Sequence, residues 1–196
     1  KENNVTFYEH TRAQDMDADD GIYINTEKGP RIKAKKVIIA SHFPFYDKKG
    51  MYFARMHPER SYIIALKPKN PFPGGMYINA ETPSRSLRGA LYNNENILLV
   101  GGEGHKTGQK DVTPGCYLNL REFAEETYGI EEILYRWSAQ DLVTLDKVPY
   151  IGHLTNDTPN IFVATGFRKW GMTNGTSAAH ILRDLVLEIE NPYEEL

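Results

Sequence analysis

The residues with the clearest chemical potential lie between an apolar run and an amphipathic segment in the last third of the sequence. They are Ala-Thr-Gly-Phe-Arg-Lys-Trp-Gly-Met-Thr at 164–173. Gly166 and Gly171 allow the backbone to approach a ligand closely. A helix that starts near Thr173 would add free N–H groups and a positive dipole end, which favour an anion. Arg168 and Lys169 lie beside these groups. The pattern predicts an anion-binding strand-turn-helix, and a plain corner with surface charges remains the alternative.

Two other stretches imitate ligand-binding loops. Residues 15–21 alternate carboxylates as a calcium loop does, but Gly21 comes one place late and Thr26 stands where a glutamate is needed. Residues 101–108 are rich in glycine but lack the spacing of a P-loop. We therefore predict an acidic solvated turn for the first stretch and a glycine-rich loop of another purpose for the second.

Metal and hydrolase chemistry receive little support from the sequence. The six histidines, at 10, 42, 57, 105, 153 and 180, include no helical i, i+4 pair. Cys116 is the single cysteine, so this chain alone cannot form a disulfide framework or an all-cysteine metal cluster. A Gly-x-Ser-x-Gly elbow is absent from the sequence. No metal site is predicted.

Two kinds of strand must position the candidate residues. Residues 37–40 and 161–164 are continuous apolar runs, typical of strands buried on both faces, and we expect them to share one sheet. Between them, short strands separated by turn residues predict an antiparallel sheet at 61–66, 75–79, 86–90 and 96–100. Helical spacing predicts one helix from Thr113 to Gly129 and another from about Thr173 to Asn191.

Charge and hydropathy exclude several classes of partner. The chain of 196 residues carries 26 acidic and 23 basic residues, a net charge of −3. No general basic field is present to attract nucleic acid or anionic lipid. No apolar run approaches the ~18 residues of a membrane span. The single cysteine fits a reducing compartment, and we expect a cytoplasmic protein with no nucleic-acid or membrane partner.

Taken together, the motifs resemble the FAD-dependent oxidoreductases of the D-amino-acid oxidase and glycine oxidase type. The stretch 164–173 is similar to their C-terminal flavin-binding element, and Val37–Ser41 is similar to a strand that ends near the FAD. The residues Trp137, Thr144, Asp146, Pro149, Ile151 and Gly152 match a Trp…Thr-x-Asp-x-x-Pro-x-Ile-Gly stretch. The segment 97–108 is similar to the corresponding segment in a subgroup of these proteins. Members of this subgroup often carry a downstream Rieske iron–sulfur domain. The resemblance covers nearly the whole chain.

The resemblance implies site residues in two places. Lys169 and Arg168 become the catalytic candidates, as partners of the flavin or of a substrate carboxylate. Tyr62 is either a substrate-pocket residue or a packing residue of the sheet. The residues expected to contact the cofactor are Ala40, Ser41, Gly152, Gly166, Phe167, Gly171, Met172 and Thr173.

One element of the family is missing from this sequence. The Gly-x-Gly-x-x-Gly turn that would hold the FAD pyrophosphate is absent. We therefore expect a C-terminal fragment whose parent binds FAD, whereas this chain does not retain it. Its expected partners are the missing N-terminal FAD-binding segment, a small-molecule substrate and a downstream Rieske domain, whose cluster is not in this chain. Self-association through the exposed interface is a further expectation.

These inferences predict an α+β fold with an antiparallel substrate-domain sheet inserted between two parts of an FAD domain that lacks its N-terminal βαβ unit. Residues 1–44 and 143–196 would be the FAD-domain parts, and 45–142 the substrate domain. The predicted function is oxidation of an amine or amino-acid-like substrate by hydride transfer to FAD. The alternative is a non-catalytic interaction domain with a degenerate flavoenzyme fold.

Overall fold

The computed structural model describes residues 5–109 and 113–193, which divide into two compact units. Unit 1 combines the described residues of 1–56 and 142–196, and unit 2 comprises those of 57–141. The helices are α1 (Tyr52–Arg55), α2 (Thr113–Tyr128) and α3 (Gly171–Leu187). The strands are β1 (Ala13–Asp17), β2 (Ile22–Thr26), β3 (Ile32–Ala34), β4 (Val37–Ile39), β5 (Met56–Pro68), β6 (Met76–Ile78), β7 (Arg85–Tyr92), β8 (Glu95–Lys106), β9 (Ile130–Thr144), β10 (Tyr150–His153) and β11 (Ile161–Thr165).

The centre of unit 1 is a sheet of three strands in the order β10-β11-β4. β4 and β11 run parallel, with Val37 opposite Ile161 and Ile39 opposite Val163. The prediction that the two apolar runs share a sheet is therefore confirmed. Both faces of β11 are covered, since all five of its residues are buried. This double burial explains the unbroken apolar sequence.

Different side chains cover the two faces of this sheet. On one face, Phe162 and Ala164 pack with Ala178 and Leu182 of α3. On the other face, Ile161 and Val163 belong to a core that includes Met16 and Ile22 of the first hairpin. Gly171 is the first residue of α3, two positions before the predicted start at Thr173, and the helix ends at Leu187 rather than at Asn191.

The first three strands form a separate antiparallel sheet, β1-β2-β3. The predicted acidic turn at 15–21 is wrong in its first half, because β1 extends to Asp17. Met16 is buried, whereas Asp15 and Asp17 bind Lys48 and Arg31 at 3.2 and 2.8 Å. The alternation of a strand therefore accounts for carboxylates on both sides of a core methionine.

Unit 2 is built on a five-stranded sheet in the order β6-β7-β8-β5-β9. The pairs β5–β8, β6–β7 and β7–β8 are antiparallel, as the turn spacing predicted. Helix α2 covers one face, where Cys116, Leu120 and Ala124 pack with Tyr62, Ile64, Leu66, Leu98 and Val100. The α+β fold class is confirmed: α2 covers one face of the five-stranded sheet, and α3 covers one face of the β10-β11-β4 sheet.

The glycine-rich stretch in unit 2 is not a loop at its start. β8 continues through Gly101 and Gly102 to Lys106. A Cβ at Gly101 would lie 2.7 Å from the Ser86 Oγ atom, and one at Gly102 would lie 2.6 Å from the Ser84 carbonyl oxygen. The glycines therefore permit the close approach of residues 84–86 of the same chain. Sequence spacing alone did not reveal this contact.

The unit boundaries fall at 56/57 and 141/142, compared with the expected 44/45 and 142/143. The difference at the first boundary follows from Tyr52 and Met56, which are buried in the core of unit 1. Across the described residues, no helix combines the length and the apolar character that a membrane crossing requires.

Candidate functional site

The carboxyl ends of β4 and β11 lie side by side because the two strands are parallel and in register. Ala40 and Ser41 follow β4, and Gly166 and Phe167 follow β11. The Thr165 hydroxyl donates to the carbonyl oxygen of His42, which joins the two strand ends. Ligands of α/β sheets bind outside the carboxyl ends of parallel strands. The structure thus brings these four predicted residues together at such an end.

The loop after β11 is held against the last residues of β9. Gly166 has a φ of +76°, and a Cβ there would lie 2.5 Å from Thr144 Cγ2. The Arg168 amide donates to the Leu142 carbonyl oxygen at 3.1 Å. Only glycine satisfies both the positive φ and this close approach. Contacts with residues 142–144 therefore fix the position of the loop that leads into α3.

Helix α3 begins with backbone donors that no side chain caps. Its N-cap is Trp170, which makes no side-chain capping hydrogen bond. The first intrahelical acceptor at this end is the Trp170 carbonyl, bound by the Asn174 amide at 2.9 Å. The amides of Gly171, Met172 and Thr173 precede that bond, and these three residues are exposed. Such amides, with the helix dipole, form a site for negative charge.

Two cationic side chains flank this helix start. Arg168 and Lys169 are exposed, and neither makes a side-chain hydrogen bond or ion pair with the part of the chain that the structure describes. Arg168 has a φ of +54°. Both cations therefore remain available to a ligand at the end of β11.

Gly152 lies apart from this group. It pairs with Val163 in the middle of β11 and borders a groove of about 1250 Å³ together with Asn174 and Ser177 of α3. The structure therefore places Gly152 beside α3 rather than at its first turn.

Ser41 already has a partner within its own loop. Its hydroxyl donates to the Phe43 carbonyl oxygen at 2.8 Å.

Tyr62 lies in the core of unit 2, with 1% of its surface exposed. Its hydroxyl lies 3.0 Å from His105 Nε2, and His105 Nδ1 lies 3.0 Å from the Lys106 carbonyl oxygen. The carbonyl can only accept, so Nδ1 is the donor and Nε2 accepts from Tyr62. The ring of Tyr117 meets Tyr62 edge-on at 5.1 Å. This environment favours the packing interpretation of Tyr62.

We expect Tyr62→Phe to lower the free energy of unfolding by about 1 kcal/mol, because one buried hydrogen bond is lost. Urea unfolding of the chain measures this change. Exposed Tyr77, substituted by Phe, is the matched control and should change little. A Tyr62→Phe protein with unchanged stability and impaired substrate binding would instead support a pocket role.

Several residues that shape the site escaped sequence reasoning. Thr165 was included in the stretch 164–173 without a role, although its hydroxyl ties the two strand ends together. Leu142 acts through its carbonyl oxygen, which no side-chain pattern reveals. Thr144 was noted only as part of a motif, without the contact to Gly166. Among the described residues, no group of three or more His, Cys, Asp or Glu side chains could hold a metal ion.

Parallel strands that end beside an uncapped helix N-terminus define a class of proteins that bind phosphate-bearing or otherwise anionic cofactors. A family model described as FAD dependent oxidoreductase matches residues 1–185. The chain belongs to this family. The resemblance recognised from the motifs is thereby confirmed.

The relatives include one long protein and several solved oxidases. YhfW from Bacillus subtilis (strain 168), whose name describes a Rieske 2Fe-2S iron-sulfur protein, is 48% identical over 189 residues. That match covers 96% of this chain and 37% of YhfW. This chain therefore spans little more than a third of its curated relative.

Two solved structures show the same fold at low sequence identity. Glycine oxidase from Geobacillus kaustophilus superposes with a TM-score of 0.70 at 21% identity, over 95% of this chain and 50% of that one. The L-alpha-glycerophosphate oxidase from Mycoplasma pneumoniae, solved with FAD bound, gives a TM-score of 0.66 at 15% identity, over 93% and 52% of the respective chains. The chain thus corresponds to about half of such an oxidase.

Proposed function

We propose that this chain supplies the flavin-ring side of the site in an FAD-dependent oxidoreductase that oxidises an amine or amino-acid-like substrate by hydride transfer. The observation that supports this proposal is the uncapped start of α3 beside the carboxyl ends of β4 and β11. FAD, when bound, supplies the acceptor for the hydride at flavin N5. The family membership supports the same assignment.

The residues at the start of α3 have a defined electrostatic task in this proposal. The amides of Gly171, Met172 and Thr173 would hold the flavin ring and would stabilise negative charge on its N1 and C2=O side. Donors fixed before the reaction are effective because they need no reorganisation as the charge appears. Gly166 would let the loop approach the ring, and its close contact with Thr144 would hold these donors in place.

The remaining parts of the enzyme lie in segments beyond this sequence. The pyrophosphate would be bound by an N-terminal FAD-binding segment with a Gly-x-Gly-x-x-Gly turn, which these 196 residues lack. A downstream Rieske domain is proposed as the electron partner, on the basis of the name of YhfW. Its two Cys and two His ligands must come from that domain, since this chain has one cysteine.

Anaerobic mixing tests the function directly. The longer flavoprotein that contains this chain is mixed with a panel of amines and amino acids, and the absorbance of oxidised flavin is followed. Bleaching by one class of substrate identifies the reaction. A flavin that no member of the panel reduces, or a longer protein that binds no flavin, would favour a non-catalytic domain that retains the fold.

We expect Lys169→Met in the longer flavoprotein to lower turnover or to lower the flavin reduction potential, because a cation near N1 and C2=O favours the reduced, anionic form. Stability should change little, because Lys169 is exposed. Redox titration and steady-state kinetics measure the effect. Lys28→Met, an exposed lysine in the turn after β2, is the control. If Lys169→Met and Lys28→Met have the same flavin reduction potential and the same turnover, Lys169 is an ordinary surface charge.

A further inference from the structure

Strand β10 of unit 1 has a free edge. It is an outer strand of the β10-β11-β4 sheet and, in the part of the chain that the structure describes, it pairs with β11 alone. The Leu154 amide donates to the Ile161 carbonyl oxygen at 2.8 Å. Because hydrogen-bonded and non-hydrogen-bonded pairs alternate along an antiparallel ladder, the N–H and C=O groups of Ile151 and His153 point away from β11. β10 therefore offers two donors and two acceptors to a further strand.

The groove of about 1250 Å³ described above follows this free edge. Ser177, Ile181 and Leu185 of α3 line one side of the groove. On the other side, the Arg55 guanidinium lies over the Tyr150 ring at 4.2 Å from its centroid. A strand placed on β10 would point its side chains alternately to these two sides. The groove therefore suits an extended segment with apolar side chains toward α3 and polar or acidic side chains toward Arg55.

The chain after α3 is held in a fixed course that leads to this groove. Glu188 ends the helix with a φ of +58°, and the Ile189 amide donates to the Asp184 carbonyl oxygen at 2.9 Å. Asn191 Nδ2 donates to the Asp184 carboxylate at 2.6 Å, and both of these residues are buried. The Tyr193 amide donates to Asn191 Oδ1 at 2.8 Å, and Tyr193 itself lines the groove. These bonds therefore direct the chain from the end of α3 into the groove.

The chain reaches the groove at the carboxyl end of β10. Helix α3 follows β11 directly and packs along it, so the last turn of α3 lies near His153 rather than near Tyr150. Asp184 and Leu185 border a second cleft together with His153, which agrees with this placement. A segment that enters the groove at this end would run from His153 towards Tyr150. It would therefore be antiparallel to β10.

The comparison with relatives shows that a longer protein has additional chain for this role. This chain covers a smaller share of YhfW than of glycine oxidase, so YhfW is the longer of the two proteins. The proposed function assigns a downstream Rieske domain to such additional length. An extended segment that adds a strand to a free sheet edge gains affinity from its backbone hydrogen bonds and specificity from its alternate side chains.

We propose that the polypeptide downstream of residue 196 in the longer flavoprotein binds in this groove and adds an antiparallel strand to β10. The inference rests on one part of the proposed function, the downstream domain, which supplies that polypeptide. The backbone groups of Ile151 and His153 bind the added strand, and this pairing anchors the start of the downstream part to unit 1.

Site-specific cross-linking in the intact longer flavoprotein identifies the occupant of the groove. Ser177→p-benzoylphenylalanine places a photoreactive group in the groove, and mass spectrometry locates the cross-linked peptide. We expect a cross-link within one chain to a peptide downstream of residue 196. Products that join two chains, products that involve only other segments, or the absence of any product would overturn the proposal. The same probe at Ala179, which is exposed on α3 outside the groove, is the control and should not give the downstream product.

Hydrogen exchange in the same protein measures the pairing of the added strand with β10. The amides of Ile151 and His153 should be protected from exchange in the intact longer flavoprotein. Ser177→Trp fills the groove and should speed their exchange by up to about tenfold, the effect of losing one backbone hydrogen bond. Ala179→Trp is the matched control and should leave the exchange unchanged. Equal exchange in the Ser177→Trp and wild-type proteins would overturn the proposal.

Flavin reduction by an amine or amino acid, measured in the same preparations, separates this inference from the proposed function. If the flavin is reduced but the downstream cross-link does not form, the docking in the groove is wrong and the proposed oxidation stands. If the cross-link forms but no substrate reduces the flavin, the docking is supported and the proposed oxidation fails.

Discussion

The purified chain of 196 residues should not retain FAD through gel filtration. In the proposed site, this chain offers the loop after β11 and the first amides of α3 to the flavin ring. The sequence contains no Gly-x-Gly-x-x-Gly turn for the pyrophosphate. Each charge-assisted hydrogen bond lost is worth about 1.5–3 kcal/mol. Since about 1.4 kcal/mol is tenfold in affinity, the loss of several such bonds weakens binding by several powers of ten.

The measurement is the ratio of flavin absorbance to protein in the eluted peak after incubation with excess FAD. The longer flavoprotein, treated identically, is the control and should elute yellow with stoichiometric flavin. Stoichiometric flavin on the chain alone would show that these residues form a complete site. The proposal that they supply only part of one would then be wrong.

The parts of the fold that sequence could predict are those in which one short segment reports its own environment. The apolar run of β11 was correctly predicted as buried on both faces. The same prediction is wrong for one face of β4, where Ile39 is buried but Ile38 is 46% exposed. The predicted position of α2 was correct because Pro114 and Gly129 mark its ends. The loop after β11 was recognised because its glycines and cations lie between an apolar strand and an amphipathic helix.

The parts that sequence could not predict depend on contacts between distant segments. β9 was missed because eight of its first eleven residues are exposed, so no clear alternation of apolar residues marks it. The orientation of Tyr62 depends on an irregularity in the pairing of β5 and β8 between Arg60 and Tyr62. A shift of one residue turns a side chain to the other face, and no local pattern encodes it. The support of Gly166 by Thr144 likewise joins segments far apart in the chain.

A buried ion pair in unit 2 illustrates the same limit. Arg85 Nη2 and Glu103 Oε1 are 2.5 Å apart, with side-chain exposures of 11% and 5%. Asn119 Nδ2 donates to the second carboxylate oxygen at 3.0 Å, and the Arg85 guanidinium lies over the Phe123 ring. The pair joins β7 to β8 across 18 residues of sequence, and Asn119 and Phe123 connect it to α2. Neither Arg85 nor Glu103 forms part of a recognisable motif.

We expect Glu103→Ala to lower the free energy of unfolding of unit 2 by about 3–5 kcal/mol, because it leaves the Arg85 charge largely buried without a carboxylate partner. The measurement is urea unfolding followed by tryptophan fluorescence in a Trp170→Phe background. Trp137 is then the remaining tryptophan, so the signal reports the unfolding of unit 2. Glu95→Ala is the matched control. Glu95 is 59% exposed and pairs with Lys67 at the surface, so its loss should have little effect.

A double replacement separates the cost of the unpaired charge from the value of the pair. Replacing Arg85 and Glu103 together by Met and Leu removes both charges and fills the space with apolar atoms. We expect most of the stability lost in Glu103→Ala to return, since a buried pair gains little over well-packed hydrophobic residues. A double variant as unstable as Glu103→Ala would mean that the pair itself, through Asn119 and Phe123, stabilises the packing of α2 on the sheet. A Glu103→Ala protein as stable as the wild type would show instead that the Arg85 charge reaches solvent.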